Sequence, residues 1–234
     1  NAATEAGQVV TPRPRPHASV AMLTVVKNEP VTLPLFIKYY SQHFHVNDIH
    51  VLDNDSTDHS TDNLDVHVEK FSSPEGKYFD HDFLVRTVKQ KIEGLLAQGY
   101  KYVLFAEVDE FVVADPAIYA GGLREYLHMH VKKEGGVVRA TGVNVRHDPE
   151  KERPYDGTKP IMSQRRFWSP EALYNKPVLT NTVLNYIPGF HDVVDVAYPV
   201  SPDLFLVHLK RLDYDAFMKK AAWKLKQNFK DGGW

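Results

Sequence analysis

Cysteine is absent from the 234 residues, which removes several kinds of chemistry at once. The chain cannot form a disulfide, and no thiol can act as a nucleophile or as a metal ligand. The lack of cysteine fits a reducing compartment. Together with the lack of a visible signal peptide, it favours a cytoplasmic location.

A surplus of charge and a long apolar run are lacking as well. Lys and Arg number 28 against 30 Asp and Glu, for a net charge of -2. Proteins that bind duplex nucleic acid usually present a strongly basic face, so we expect no nucleic-acid partner. No apolar run approaches the roughly 20 residues of a membrane span. The chain begins at Asn1 rather than Met, which leaves room for a leader or for flanking domains.

The sequence that is present predicts an α/β domain after a short arm. Residues 1–16 alternate proline with arginine near their end and predict an extended linker, with a basic membrane-contact arm as the alternative. Strand-like and helix-like segments then alternate up to residue 145, which predicts a mostly parallel central sheet with helices on both faces. Strands are predicted at 20–26, 48–55, 67–73, 103–106 and 136–145, and helices at 31–44, 56–68, 79–99 and 121–136.

Acidic residues follow two of these strands directly. Glu107, Asp109 and Glu110 come after an apolar strand, and Asp53 and its neighbours follow an earlier one. Ligands of open α/β sheets bind outside the carboxyl ends of the strands. The alternatives are a solvated loop after the later strand and a plain turn after the earlier one. Two such loops at one sheet edge can hold a divalent cation and a nucleotide, because Mg²⁺ and Mn²⁺ prefer carboxylate oxygen and Mn²⁺ also accepts imidazole.

The order of several motifs resembles the family 2 glycosyltransferases and their family 92 relatives, which share the GT-A fold. The segments are "MLTVVKNEP", "FIKYYSQHF", "IHVLDNDSTDHSTDNL" and "FAEVDEFVV", followed later by "NKPVL", "GFHDV" and "FLVHLKRLDYDAFMKK". The resemblance implies one GT-A-like domain over 17–234, with a nucleotide and metal half at 17–115 and an acceptor-side half at 116–234. It also implies Mn²⁺- or Mg²⁺-dependent transfer of a sugar from a nucleoside-diphosphate sugar, a UDP-sugar first, to a carbohydrate or glycoconjugate hydroxyl, with inversion.

The same resemblance implies donor-binding and metal-binding residues. The usual Asp-x-Asp metal motif corresponds to Glu107 and Asp109. The segment from Thr24 to Asn28 would line the nucleobase and ribose, with Asp53 and Asn54 opposite it. His208 would complete the metal site, with His191 as its main competitor; the alternative for His208 is a helix cap or a backbone hydrogen bond.

The chemistry of sugar transfer needs two further kinds of group. Basic side chains can assist the departing diphosphate, and the late motifs offer Lys176, Lys210 and Arg211. Each of these could instead be ordinary surface charge. An inverting enzyme also needs a carboxylate that deprotonates the acceptor hydroxyl. Asp192 is our first choice for this base, and Glu171 is the second.

Two other functions remain open on the sequence. A nucleotidyltransferase on a similar sheet would need a glycine-rich, basic loop after the first strand, and "TVVKNEP" contains no glycine. A non-catalytic sugar- or nucleotide-binding module is the other alternative, because a glutamate stands at position 107 where the family usually has aspartate.

Overall fold

The computed structural model describes residues 19–73, 80–194 and 197–226, so the predicted arm at 1–16 lies outside it. The strands are β1 (Val20–Val26), β2 (Ile49–Asn54), β3 (His67–Phe71), β4 (Tyr102–Phe105), β5 (Glu110–Ala114), β6 (Val138–Arg146), β7 (Phe167–Pro170), β8 (Pro177–Thr180) and β9 (Val200–Arg211). The helices are α1 (Thr32–Tyr40), α2 (His81–Ala97), α3 (Gly122–Lys132) and α4 (Tyr214–Lys224). Short 3-10 turns span Val46–Asp48, Ile161–Ser163 and Ala172–Tyr174.

All nine strands belong to one sheet, in the order β3-β2-β1-β4-β8-β6-β9-β5, with β7 paired to β6. The strands β1 to β4 run parallel to one another, as the alternation of strands and helices predicts. The second half of the sheet is mixed, because β8 runs antiparallel to β4 and β5 runs antiparallel to β9. The carboxyl ends of β1, β2 and β4 therefore lie side by side at one edge.

Helices cover both faces of the sheet, which confirms the predicted α/β class. Phe36 and Tyr40 of α1 pack on one face together with α3, and Ile92 of α2 packs on the other. The alternation along β1 serves both faces, since Met22 belongs to the first core and Leu23 to the second. Both cores exclude water, so the sheet edge is a rigid base for the loops that follow the strands.

The helix predicted at 79–99 is confirmed as α2, and a capping residue lies at each of its ends. The Asp80 carboxylate accepts a hydrogen bond from the Phe83 backbone N–H at 2.9 Å, which caps the first turn. Gly99 has a φ of 105°, a conformation that favours glycine after a helix. Of the helices that the structure describes, none is both long and apolar enough to cross a bilayer.

The short helix predicted at 56–68 is wrong. Residues 56–66, all of them described, form turns and bends, and β3 begins at His67. The Asp53 carboxylate accepts from the Ser56 N–H at 2.9 Å, and the Asp58 carboxylate accepts from the Ser60 N–H at 3.0 Å. In these bonds the aspartate side chains accept from nearby backbone N–H groups, a local pattern that favours turns here.

Gly142 of β6 supports the turn that carries Tyr174. A Cβ at this position would lie 2.5 Å from the Glu171 carbonyl oxygen and 2.6 Å from the Tyr174 Cβ. The Gly142 N–H also donates to the Asn175 side-chain oxygen at 2.7 Å. The missing side chain therefore lets the turn at Ala172–Tyr174 lie directly on the sheet.

We expect Gly142→Ala to lower the free energy of unfolding by about 1–3 kcal/mol, because the new methyl group meets backbone that cannot move freely. Gly136→Ala is the matched control, since nothing lies within 4 Å of its Cβ position. Urea unfolding of both variants is the measurement. Equal stability of the two variants would contradict the close approach at Gly142.

Candidate functional site

The loops after β1 and β2 are joined at the carboxyl edge of the sheet. The Lys27 ammonium donates to the Asn54 carbonyl at 2.9 Å, and the Asn28 N–H donates to the Ser56 hydroxyl at 3.0 Å. Asn28 has a φ of 54°, and its side-chain oxygen accepts from the Thr57 N–H at 2.7 Å. The two segments predicted to form a nucleotide wall thus do lie in contact.

Three of the donor-binding residues predicted in these two loops are enclosed by protein rather than facing an open space. Thr24 and Asp53 are fully buried, and Asn54 is nearly so. The Asp53 carboxylate accepts from the Thr61 hydroxyl at 2.6 Å. Burial alone would raise the pKa of Asp53, but hydrogen bonds from Ser56 and Thr61 outweigh it and lower the pKa. In this structure Asp53 therefore shapes the loop from inside, and Asn28 is the more accessible residue of the set.

The three acids after β4 divide into separate roles around one buried cation. The Lys176 ammonium, fully buried, lies 2.8 Å from Glu107 Oε2 and 2.7 Å from Glu110 Oε1. The other Glu110 oxygen accepts from the Glu107 backbone N–H at 2.8 Å. Glu110 is completely buried, whereas the Glu107 side chain keeps 33% of its surface exposed. Glu110 is thus structural, and Glu107 borders the surface.

The charges of this cluster depend on one another. Burial raises the pKa of Glu110, the Lys176 ammonium lowers it, and the net direction is upward. Burial would lower the pKa of Lys176, but the two carboxylates more than offset this and raise it. Lys176 therefore remains charged while enclosed behind the acids. The Lys176 ammonium pairs with two carboxylates inside the protein, and its predicted contact with the donor stays a prediction.

Asp109 faces His208, which β9 places opposite the acids. His208 pairs in register with Glu110, and the Leu209 N–H donates to the Asp109 carbonyl at 2.7 Å. His208 Nε2 lies 3.7 Å from Asp109 Oδ2, and its Nδ1 lies 2.9 Å from Asn144 Oδ1. In the tautomer that lets Nδ1 donate to Asn144 Oδ1, Nε2 presents its lone pair to the carboxylate.

The protonation state of His208 agrees with that arrangement. Burial lowers the pKa of His208 to about 4, although the charge of Asp109 opposes the shift. The Tyr174 ring lies 4.0 Å from the His208 ring and excludes water from it on one side. Burial, and then the neighbouring carboxylates, raise the pKa of Tyr174 to about 12. A neutral imidazole nitrogen and a carboxylate oxygen therefore face each other across a short gap.

These two groups fit a divalent cation, but the four predicted metal ligands do not form one cluster. Among the residues that the structure describes, no three His, Asp or Glu side chains converge on a single metal position. Glu107 is turned towards Lys176. Asp109 and His208 offer the oxygen and nitrogen that Mn²⁺ accepts, and the remaining ligands of such sites commonly come from water and substrate phosphate.

His191 lies near the cluster without facing Asp109 as His208 does. Its ring is 5.3 Å from that of Tyr174, and burial followed by the Lys176 charge lowers its pKa. Its Nδ1 has no hydrogen-bond partner among the described residues. Of the two histidines weighed on the sequence, His208 is the one that the structure places against a carboxylate of the motif.

The remaining predicted residues are spread around this centre. The Asp192 carboxylate accepts from Arg139 at 2.6 Å and from the Val193 N–H at 2.8 Å, and these bonds, Arg139 first, lower its pKa. Glu171 is half-buried at the start of the turn that carries Tyr174. The charge of Lys210 acts on both His208 and His191. The Arg211 guanidinium lies over the Phe217 ring, 5.6 Å from its centre.

Sequence reasoning missed three residues of the site. Asn144 contacts His208 Nδ1, Tyr174 covers the imidazole, and Lys220 of α4 pairs with Glu29 after β1. Asn144 and Tyr174 lie in segments without a polar motif. Lys220 lies within a quoted late motif, but its partner is 191 positions away, and only the fold reveals that pairing.

Comparisons with known proteins add little to this geometry. No protein-family model and no curated protein matches the chain. Among solved structures, the chain is similar to the mannosyltransferase PcManGT from Pyrobaculum calidifontis in complex with GDP-Man and Mn²⁺, at 15% identity and a TM-score of 0.34. The match covers 63% of this chain and 41% of that one. A likeness at this level supports no conclusion about function, which rests on the residues themselves.

We expect Lys176→Met to cost about 3–5 kcal/mol of stability, because it leaves Glu110 buried without a cation. The double variant Lys176→Met/Glu110→Gln should recover part of that loss, since it removes the stranded charge. Lys101→Met, at an exposed position, is the control and should stay within about 0.5 kcal/mol of the parent. Urea unfolding at neutral pH is the measurement, and a Lys176→Met variant as stable as the control would contradict the buried pair.

Proposed function

We propose that this protein transfers a sugar from a nucleoside-diphosphate sugar to an acceptor hydroxyl, with a divalent cation at Asp109 and His208. The observation that supports this most is the 3.7 Å gap between Asp109 Oδ2 and His208 Nε2. The gap lies at the sheet edge where α/β proteins bind ligands. The motif resemblance described above supports the same chemistry.

The two cation ligands are held firmly by the chain. The hydrogen bond from Leu209 fixes the Asp109 backbone, and Asn144 fixes the His208 ring. Such outer contacts orient a ligand and set its tautomer. When bound, a divalent cation would neutralise the charge that develops on the departing diphosphate. The neutral imidazole favours Mn²⁺ over Mg²⁺, because Mg²⁺ prefers oxygen alone.

The transfer itself exchanges one bond at the anomeric carbon of the sugar. The acceptor oxygen uses an electron pair to bond to that carbon, and the bond from the carbon to the diphosphate oxygen breaks with its pair on the phosphate. The acceptor proton passes to a carboxylate of the protein. Of our two choices, Glu171 is favoured over Asp192, because two hydrogen bonds lower the pKa of Asp192 and make it a weaker base.

The test is a product assay with a panel of sugar nucleotides, with and without Mn²⁺. We expect release of a nucleoside diphosphate, and we expect Asp109→Asn to lower turnover by at least about 100-fold, because it removes the charge that holds the cation. Asp65→Asn, at an exposed position just before β3, should keep parental turnover.

Two outcomes would contradict the proposal in different ways. Release of pyrophosphate from a nucleoside triphosphate would indicate a nucleotidyltransferase. Binding of sugar nucleotides without turnover, in the parent and in Asp109→Asn alike, would indicate a non-catalytic module.

A further inference from the structure

Helix α4 is held at its first turn by a buried arginine. The Asp213 carboxylate accepts from the Ala216 N–H at 3.0 Å and from the Tyr155 N–H at 2.8 Å. Arg165, fully buried, lies 3.8 Å from the same carboxylate and also donates to the Leu212 carbonyl. The beginning of α4 therefore has a fixed position relative to the end of β9.

Farther along, α4 reaches back to the loop after β1. The Lys220 ammonium donates to the Glu29 carboxylate, and the Thr32 hydroxyl donates to the other Glu29 oxygen. Glu29 directly follows Asn28, the accessible residue of the nucleotide wall. The ion pair thus joins the last described helix to the first loop of the candidate site.

Lys220 also lies within the field of the acids. Burial would lower the pKa of Lys220, but the charges of Asp109 and Glu29 raise it overall. Its side chain keeps 33% of its surface exposed, in contrast to Lys176, which has none. Lys220 is therefore a charged, partly exposed amine that contacts Glu29 and that the charge of Asp109 also influences.

We propose that Lys220 binds the diphosphate of the donor, and that Glu29 holds the ammonium in place until the donor arrives. This inference rests on the proposed function. A diphosphate beside Asp109 would bring negative charge towards Lys220, whose ammonium already pairs with the Glu29 carboxylate. A phosphate oxygen is an equal or better partner for an ammonium than that carboxylate.

The rival explanation is that the pair merely fastens α4 to the body of the protein. The two explanations differ in what they predict for Glu29. If the pair is only a fastening, loss of either partner should have the same effect. If Glu29 competes with phosphate, its loss should leave diphosphate binding intact or make it tighter, whereas loss of Lys220 should weaken it.

The experiment measures binding of UDP and GDP, and of uridine and guanosine, in the presence of Mn²⁺ by calorimetry. We expect Lys220→Met to weaken the nucleoside diphosphate that the parent prefers by at least about 10-fold, since it removes a charge-assisted hydrogen bond. Binding of the matching nucleoside should change by less than about twofold, because that part of the ligand does not meet the ammonium. Lys219→Met, an exposed neighbour, is the matched control.

Glu29→Gln completes the test and does not depend on how well Lys220→Met folds. We expect it to bind the diphosphate at least as tightly as the parent. If Glu29→Gln weakens diphosphate binding, or if Lys220→Met binds it like the parent, the inference is wrong and the pair is a fastening. If the parent binds neither diphosphate, the proposed function fails, and the role of Lys220 fails with it.

Discussion

The candidate site depends on one buried ammonium, that of Lys176. It lies between Glu107 and Glu110 and pairs with one carboxylate that is fully buried and one that borders the surface. Burial of a charge is costly unless it is paired and hydrogen-bonded, and here each partner meets that need for the other. Because Lys176 directly precedes β8, the same contact also fastens the second half of the sheet to the loop after β4.

The division of labour among the acids follows from that contact. Lys176 occupies Glu107 and Glu110, so Asp109 is left to face His208 across the sheet. Asn144 contacts the other ring nitrogen of this histidine and orients the ring. The three acids after the apolar strand thus differ: Glu110 is a buried partner of Lys176, Glu107 borders the surface, and Asp109 faces His208. The cluster is stable because its charges differ in sign and in partner, with the Lys176 ammonium beside two of the acids.

The sequence predicted well where a pattern repeats over many residues, and poorly where a distant partner decides. Local patterns predict helix α2 with its Asp80 cap. They also predict the parallel strands β1 to β4. The turns at 56–66 do not follow from periodicity. They form because the Asp53 and Asp58 side chains accept hydrogen bonds from the Ser56 and Ser60 N–H groups. The sequence predicted that Lys176 binds the donor. Its position behind Glu107 depends on the pairing of β8 with β4, which no local pattern reveals. The pairing of Lys220 with Glu29 is hidden from the sequence for the same reason.

The central claim is that Asp109 and His208 hold the cation, with donor phosphate completing the site. Anomalous diffraction from crystals grown with Mn²⁺ and a nucleoside diphosphate tests it directly. The account predicts one manganese peak bonded to Asp109 Oδ2 and His208 Nε2, with the diphosphate on its other side and Lys176 unmoved behind Glu107. A peak on His191, or one held by Glu107 and Glu110 after displacement of Lys176, would contradict it.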